Sequence, residues 1–315
     1  MKLDISVIIP CLNEKDSIGN VIASVVRELQ ENNFTYEIIV VDNGSHDGSD
    51  AIAKNLNSLV LFTRGGTIGR LRNIGANIAK GRLPVFLDAD VVVKSPWGKI
   101  LSTIYQDMIT KNNSITGSHP LAPDNIKPLL ASWYKGISND FRNTHLGSGH
   151  MIVSTNTYRK IGGFDESLVS GEDYDFCFRA KKIGISVVNK PDMVVCHLGY
   201  PKTLIEFIKR EIWHGEGDFK SFKSILHSRV ALCGIVFILG HILLPISFYL
   251  YINLFMVLLS IIIVMTLITN IYKFRFDDTR SFIYRSIISY VYLFSRGLSF
   301  LFFIYKRLCN ISLSK

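Results

Sequence analysis

Short apolar runs alternate with amphipathic stretches over the first 94 residues of the 315-residue chain. Four apolar runs predict strands: Ile5–Pro10, Tyr36–Asp42, Leu59–Phe62 and Leu83–Leu87. The third is short, whereas the other three lack polar alternation, which is typical of strands buried on both faces of a sheet. Apolar residues at helical spacing predict helices from Ser17 to Glu31 and from Thr67 to Lys80, with another after the polar turn at 43–49. This alternation predicts an α/β fold built on a parallel sheet with right-handed crossovers.

Polar side chains follow three of these strands at the point where each strand ends. They are Asn13 and Glu14 after the first strand, Asp42 and Asn43 after the second, and Asp88 and Asp90 after the fourth. Because the carboxyl ends of parallel strands meet at one edge of a sheet, we expect these clusters to converge.

The spacing of Asp88 and Asp90 predicts that both carboxylates lie on the same side of the fourth strand. A divalent cation that bridges a phosphate would relieve their mutual repulsion, since such cations prefer oxygen ligands. The alternative is a solvated turn at the strand end, where aspartate is common.

Residues 95–228 have a less regular pattern. A helix at 95–111 and a strand at 151–154 can be assigned, and the segment Gly171-Glu172-Asp173-Tyr174-Asp175 opens another helix with three acids. Negative charge is favoured at a helix N-terminus, so capping alone could explain Asp173. The segment 112–147 is expected either to line the site of a second substrate or to pack in the ordinary way; its prominent side chains are Trp133, Tyr134, Phe141, Arg142 and His145.

The last part of the chain is strongly hydrophobic. Val230–Leu250 and Ile252–Tyr272 are each long enough to span a membrane, and the absence of a loop between them predicts a tight helical hairpin. Lys273, Arg275 and Arg280 follow the second span and place that end in the cytoplasm by the positive-inside rule.

A third apolar stretch, Phe282 to Tyr305, carries Arg285, Arg296 and Arg307. Their spacing of eleven residues puts all three on one face of a helix. This pattern favours an amphipathic helix that lies in the cytoplasmic membrane interface, and a third span is the rival topology.

Charge is divided in the same way as hydrophobicity. Residues 1–228 carry 26 basic and 24 acidic side chains, whereas residues from 229 onward carry 9 and 2. Because the excess basic charge belongs to the hydrophobic part, an anionic lipid surface is favoured as a partner over nucleic acid.

The five cysteines show no C-x-x-C pair, which is typical of free thiols in a reducing compartment. The N-terminus leads directly into a strand without the pattern of a signal peptide. We therefore expect a multi-pass protein of the plasma (inner) membrane whose α/β part is cytoplasmic.

Six motifs stand in a recognisable order. They are Ser6-Val7-Ile8-Ile9-Pro10-Cys11-Leu12-Asn13-Glu14, Ile39 to Ser49, Arg72-Asn73-Ile74-Gly75-Ala76, Phe86-Leu87-Asp88-Ala89-Asp90, Ile161-Gly162-Gly163-Phe164-Asp165-Glu166 and Gly171-Glu172-Asp173. Through them the chain, over about residues 4–220, resembles the inverting family 2 glycosyltransferases, which have the GT-A fold and use nucleotide-sugar donors.

The resemblance implies a role for each matching residue. Asp42 would bind the base or ribose of the donor, in a pocket also lined by Pro10, Asn13 and Glu14. Arg72 would bring a positive charge near the donor. Asp88 would contact ribose and metal, and Asp90 would be the direct ligand of Mg²⁺ or Mn²⁺ under the diphosphate.

Asp173 resembles the catalytic base of the family, and like-charge repulsion from Glu172 and Asp175 would strengthen it as a proton acceptor. His197 stands about where several GT-A enzymes have a metal-binding histidine, although a single histidine at a strand end is more often structural. Lys209 or Arg210 would clamp the diphosphate, or else belong to a basic interfacial helix anchored by Trp213.

These interpretations predict three parts. Residues 1–228 form a cytoplasmic GT-A domain with a donor half to about 94, residues 229–272 form the transmembrane hairpin, and residues 273–315 form the basic loop with the interfacial helix. The predicted activity is metal-assisted, inverting transfer of a sugar to a lipid-linked or polysaccharide acceptor. The alternatives are a polyprenyl-phosphate sugar transferase and a non-catalytic nucleotide-sugar-binding scaffold.

Overall fold

The computed structural model describes residues 3–138, 145–219, 222–274 and 276–309. The chain forms two compact units, one of residues 1–123 and 141–200 and one of residues 124–140 and 201–315. The units divide the chain at residue 200, whereas the sequence pattern placed the end of the GT-A domain at 228. The functional domain boundaries therefore stay a prediction. Phe141, Arg142 and Arg275, which the sequence analysis used, lie outside the described residues.

The first unit is an α/β structure whose elements we number along the whole chain. They are β1 (Ile5–Cys11), α1 (Ile18–Glu31), β2 (Tyr36–Asp42), α2 (Ser49–Asn55), β3 (Leu59–Phe62), α3 (Ile68–Ile78), β4 (Leu83–Leu87), β5 (Val91–Val93), α4 (Trp97–Lys111), β6 (Ser114–Gly117), β7 (His150–Val153), α6 (Thr155–Ile161), α7 (Glu172–Lys182), β8 (Ser186–Asn189) and β9 (Val195–His197).

Seven strands form the central sheet in the order β3-β2-β1-β4-β7-β6-β8. The first four in this order are parallel, as predicted. The strand β7 is antiparallel to both β4 and β6, so the complete sheet is mixed. The pattern of the first 94 residues could not indicate this, because the reversed strand comes from the irregular second half. A separate antiparallel pair, β5 and β9, lies outside this sheet.

The core forms on the two faces of the sheet. Every residue of β1 is buried, and α1 buries its predicted apolar stripe against it, including Val21, Val25 and Leu29. Each such side chain contributes about 1.5–3 kcal/mol to folding when it leaves water. On the other face, α3 approaches so closely that a Cβ at Gly75 would lie 2.5 Å from Cγ2 of Ile8. This packing holds the carboxyl edge of the sheet in place.

Helices are the regular secondary structure of the second unit among its described residues. Its elements are α5 (Pro128–Ser138), α8 (Leu204–Glu216), α9 (Phe222–His227), α10 (Arg229–Leu250), α11 (Ile252–Lys273) and α12 (Thr279–Leu308). Only Tyr251 separates α10 from α11, which agrees with the predicted hairpin. Three described helices, α10, α11 and α12, are long and apolar enough to cross a membrane. A helix of 22 residues is about 33 Å long, which matches the hydrocarbon core.

The helix α12 differs from the other two because most of its arginine face is covered. Arg285 is 2% exposed and pairs with Asp277, and Arg296 is 3.2 Å from both Glu211 and Asp218. These two arginines therefore face acidic side chains of the protein. Buried charges are tolerated here because each has an acidic partner. Arg307 is exposed.

Candidate active site

The structure brings the predicted polar clusters together at the carboxyl edge of β2, β1 and β4, which are neighbours in the sheet. The loops after β1 and β2 are bonded to each other. The N–H of Asn13 donates to Oγ of Ser45 at 2.9 Å, and the N–H of His46 donates to Oδ1 of Asn13 at 2.9 Å. Asn13 has a φ of 56°, a conformation that asparagine tolerates. In this structure Asn13 therefore joins two loops of the predicted donor pocket.

Asp42 ends β2 and is 1% exposed. Its Oδ1 accepts the N–H groups of Gly44 at 2.7 Å and Ser45 at 2.8 Å. Its Oδ2 is buried without a partner among the described residues. A buried carboxylate oxygen without a partner is costly, so this atom is suited to accept a hydrogen bond from a bound ligand.

Pro10 and Glu14 lie at the end of β1 and in the loop after it. Pro10 is buried opposite Val41 in the neighbouring strand. The carboxylate of Glu14 accepts a hydrogen bond from Oγ of Ser17 at 2.7 Å. Burial raises the pKa of Glu14, and the negative charge of Asp90 raises it further. Glu14 therefore lies within electrostatic range of the acidic pair.

Asp88, Asp90 and His197 form a group that could hold a metal ion. One ligand atom from each lies within 4.8 Å of the others, and Nδ1 of His197 is 3.3 Å from Oδ2 of Asp90. Burial raises the pKa of Asp90 to about 7, and the charge of Asp88 adds to this shift. A cation would stabilise both carboxylates in their ionised form, so the donor set fits Mg²⁺ or Mn²⁺.

The two aspartates converge through the turn after β4 and not, as their spacing predicted, through the pleat of a strand. The strand β4 ends at Leu87, so both acids lie in the turn before β5 and not on one face of a strand. In the β5–β9 pair, Val91 lies opposite His197. The N–H of Leu198 also donates to the carbonyl oxygen of Asp90 at 2.7 Å. This small ladder, and not the pleat of β4, places the histidine beside Asp90.

Two glycines make room for the acidic pair, and the sequence analysis did not identify them as part of the site. A Cβ at Gly149 would lie 2.6 Å from Oδ2 of Asp88, and a Cβ at Gly199 would lie 2.1 Å from Oδ2 of Asp90. The glycine-rich stretch before β7 was the available signal for Gly149. For Gly199 the sequence carried no comparable signal, because the approach of Asp90 depends on the β5–β9 pairing.

Asp173 lies in the first turn of α7 and is partly buried. Its Oδ1 accepts the N–H of Tyr174 at 2.7 Å, and a Cβ at Gly147 would lie 3.8 Å from its Oδ2. The expected repulsion from its neighbours is offset, because Asp175 pairs with Arg179 and Glu172 pairs with Arg72. Asp173 is thus the acid of this turn that has no ion pair among those found in the described residues.

Arg72 is 1% exposed and bonds two carboxylates, and its role toward a donor stays a prediction. One terminal nitrogen donates to Oδ1 of Asp88 at 2.5 Å, and the other donates to Oε1 of Glu172 at 2.9 Å.

The neighbouring Asn73 stabilises a loop. Its amide bonds the N–H and carbonyl oxygen of Phe164, each at 2.9 Å, and so fixes the loop that precedes α7.

Lys209 and Arg210 belong to α8 in the second unit. Lys209 is exposed. The guanidinium of Arg210 lies over the rings of Tyr134 at 5.3 Å and Phe207 at 5.7 Å, and 3.4 Å from Glu211. Their role toward a diphosphate stays a prediction.

The chain matches two family models. Residues 6–114 match the model described as glycosyl transferase family 2, and residues 132–275 match the model described as glycosyl transferase family group 2. Between them the two matches cover the strands of the central sheet except β6, of which only Ser114 is matched, and both helices of the hairpin.

Curated relatives and solved structures carry related names. The chain is 27% identical over 233 residues to the glycosyltransferase AglE of Haloferax volcanii, covering 69% of this chain and 73% of that protein. Over 94 residues it is 36% identical to an undecaprenyl-phosphate 4-deoxy-4-formamido-L-arabinose transferase of Aeromonas hydrophila, covering 28% of this chain and 29% of that protein.

A mannosyltransferase of Pyrobaculum calidifontis, solved in complex with GDP-Man and Mn²⁺, has a similar fold. The TM-score between the two structures is 0.54 at 15% sequence identity. The match covers 72% of this chain and 65% of the mannosyltransferase chain, which is less than two thirds of that chain's length. At this identity the likeness concerns the fold.

Proposed function

We propose that this chain, which belongs to the family 2 glycosyltransferases, transfers a sugar from a nucleotide-diphosphate donor with inversion at the anomeric carbon. The chain is a glycosyltransferase of the GT-A fold. The observation that carries the finer proposal is the group of Asp88, Asp90 and His197, which lies at the same sheet edge as Asp42.

Different residues at this edge would contact different parts of the donor. The Oδ2 of Asp42 would accept a hydrogen bond from the base or ribose, and Asp88, Asp90 and His197 would hold the cation that assists departure of the diphosphate. When bound, Mg²⁺ or Mn²⁺ supplies a Lewis acid that neutralises charge on the leaving diphosphate.

Asp173 acts as the general base in this proposal. Its carboxylate takes the proton of the acceptor hydroxyl, whose oxygen bonds to the anomeric carbon while the bond from that carbon to the diphosphate oxygen breaks. Such a single displacement inverts the anomeric configuration. A retaining double displacement would need a second, nucleophilic carboxylate, for which the sequence offers no specific candidate.

The acceptor we propose is lipid-linked or a growing polysaccharide at the cytoplasmic membrane face. The hydrophobic hairpin supports this proposal, because it would keep the enzyme beside a substrate held in the bilayer. A polyprenyl phosphate is the second candidate, favoured by the local similarity to the undecaprenyl-phosphate transferase. A non-catalytic scaffold is disfavoured, since binding alone would not require Asp88, Asp90 and Asp173 together.

We further propose that α12 lies in the cytoplasmic interface and does not span the membrane. One face of α12 contacts α8 through Arg296, whose guanidinium pairs with Glu211. Its first turns bond Asn270 near the end of α11, and Gly297 packs on Gly234 near the start of α10. Both contacts lie near the open end of the hairpin, and Tyr290 contacts His241 near the middle of α10, so α12 packs along the half of α10 nearest that end.

The proposed reaction predicts metal-dependent cleavage of a nucleotide sugar. Purified protein should hydrolyse one of a panel of UDP-, GDP- and dTDP-sugars slowly with Mn²⁺ or Mg²⁺ present, and not in EDTA. Asp90→Asn should bind Mn²⁺ at least about tenfold more weakly and lose this hydrolysis. Asp107→Asn, which changes an exposed acid on α4, is the matched control and should behave as the wild type. Equal hydrolysis by wild type and Asp90→Asn would contradict the proposed metal site.

A further inference from the structure

We infer that Arg72 is a positioning residue that holds the metal-binding turn and the helix of the catalytic base in one geometry. The inference rests on the proposed function, because it concerns Asp88 and Asp173 in those roles. It gives a structural role to the side chain that the sequence resemblance placed, as a positive charge, near the donor.

The guanidinium of Arg72 is shared between two elements that are far apart in sequence. It donates to Oδ1 of Asp88 in the turn after β4 and to Oε1 of Glu172 at the start of α7. Arg72 is 1% exposed, and its guanidinium lies 5.8 Å from the ring centroid of Phe164. The planar fork of arginine can serve two carboxylates at once, whereas the single ammonium of lysine does so poorly.

At the metal end, Arg72 fixes the orientation of the Asp88 carboxylate. Oδ1 is bound to the guanidinium, and Oδ2 lies against the backbone of Gly149, which leaves no space for a Cβ. The N–H of Asp88 is also fixed, by the carbonyl oxygen of Gly149 at 3.2 Å. The carboxylate is therefore held by contacts that leave it one orientation. Such supporting contacts typically change metal affinity or activity by about 10–100-fold when they are lost.

At the base end, Arg72 acts through Glu172. The Oε1 of Glu172 accepts from Arg72 and from Oγ of Ser148, each at 2.9 Å, and the side chain is 8% exposed. Glu172 immediately precedes Asp173, so this pair of hydrogen bonds anchors the first turn of α7. A buried ion pair contributes little net stability compared with apolar packing. The ion pair joins the metal-binding turn to the helix of the proposed base, so we assign it a positioning role and not a stabilising one.

The test compares variants at the two ends of the fork. Arg72→Lys should weaken binding of Mn²⁺ alone about tenfold and lower kcat about tenfold. Glu172→Ala should leave Mn²⁺ affinity within about twofold while lowering kcat about tenfold at saturating donor. Glu172→Gln should restore kcat to within about threefold of the wild type, because its carbonyl oxygen still accepts both hydrogen bonds.

Arg179→Lys is the matched control, because Arg179 also bonds a carboxylate and two carbonyl groups in the same unit. It should lower Tm without changing Mn²⁺ affinity. Wild-type Mn²⁺ affinity in Arg72→Lys, or equal kcat in Glu172→Ala and Arg179→Lys, overturns the inference. If Arg72→Lys does not fold, the test depends on the two Glu172 variants. An equal decrease of kcat in Glu172→Ala and Glu172→Gln then overturns the inference. A wild-type protein that neither binds Mn²⁺ nor turns over any donor would instead refute the proposed function.

Discussion

At the scale of single residues, the site combines acids that have partners with acids that do not. Glu172 and Asp175 are paired with arginines, whereas Oδ2 of Asp42 is buried without a partner among the described residues. Asp173 lies between the two paired acids. Such a distribution separates carboxylates that position the structure from carboxylates that remain available to a substrate.

The proposed role of Asp173 as the base predicts that its replacement affects transfer and not donor binding. Asp173→Asn should retain donor affinity, because the donor pocket is built by other residues, and should lose transfer by about 100-fold or more. Isothermal titration with the nucleotide and a transfer assay at saturating donor would measure the two quantities. Unchanged transfer would show that another group accepts the proton.

The buried side chain of His150 should make the stability of the fold depend on pH. The N–H of the Trp97 indole donates to its Nε2 at 2.8 Å, and Nδ1 lies 2.9 Å from Oγ of Ser118. Burial lowers the pKa of His150 to about 4 from 6.5. The unfolded chain therefore takes up a proton at a higher pH than the folded one, so stability is full above about pH 6.5 and falls toward pH 4.

Protonation of this histidine should lower the free energy of unfolding by about 2 kcal/mol between pH 7.5 and pH 5. Thermal unfolding at the two pH values measures it. His150→Phe should be less stable at pH 7.5, yet it should lose less on acidification than the wild type. His46→Asn, at an exposed side chain, should show the wild-type loss. An identical pH response in His150→Phe would refute the explanation.

At the scale of elements, close approach between helices depends on small residues at defined positions. A Cβ at Gly297 of α12 would lie 2.6 Å from Cβ of Ile238 and 2.7 Å from the carbonyl oxygen of Gly234 in α10. A Cβ at Gly240 would meet Ile262 of α11 at an ordinary 3.6 Å. The α10–α12 contact is therefore much tighter than the α10–α11 contact at these positions.

This difference predicts opposite results for the same substitution. Gly297→Ala should destabilise the second unit by about 1–3 kcal/mol, because α10 and α12 must move apart. Gly240→Ala should be neutral or stabilising by up to about 1 kcal/mol, since alanine favours helix without a clash. Thermal unfolding of both variants in the same detergent provides the comparison, and equal Tm values would contradict the close packing of α12.

At the scale of the whole molecule, the position of α12 decides whether the chain has two or three membrane spans. By length and composition α12 qualifies as a span, but 44% of its most apolar window is buried inside the protein, against 11% for α11. A helix covered by protein on its arginine face has less surface to present to lipid. The pairing of Arg285 and Arg296 with acids fits a position between the hairpin and other helices of its unit.

An interfacial α12 predicts that both chain termini lie on the cytoplasmic side. Tags at the N-terminus and the C-terminus should both be cleaved by protease in inverted membrane vesicles and protected in intact cells. A C-terminal tag that is accessible only from outside the cell would establish three spans instead.

The local pattern of the chain was sufficient for much of the fold. Buried apolar runs predicted β1, β2 and β4 and their parallel arrangement, because strands covered on both faces leave no polar alternation. A short apolar run also predicted β3, which is a partly exposed strand at the edge of the sheet. The polar residues at their ends predicted the site edge, and the length of the apolar segments predicted the hairpin. These features depend on neighbours in sequence, which is why they can be read without the tertiary structure.

Only the tertiary structure decided what each charged side chain contacts. The fork of Arg72 joins residues 16 and 100 positions away, and His197 reaches Asp90 through a strand pairing more than 100 residues apart. The inward face of α12 depends on acids in α8 and in the preceding loop. Contacts over such distances arise from packing and chain topology, and no local periodicity encodes them.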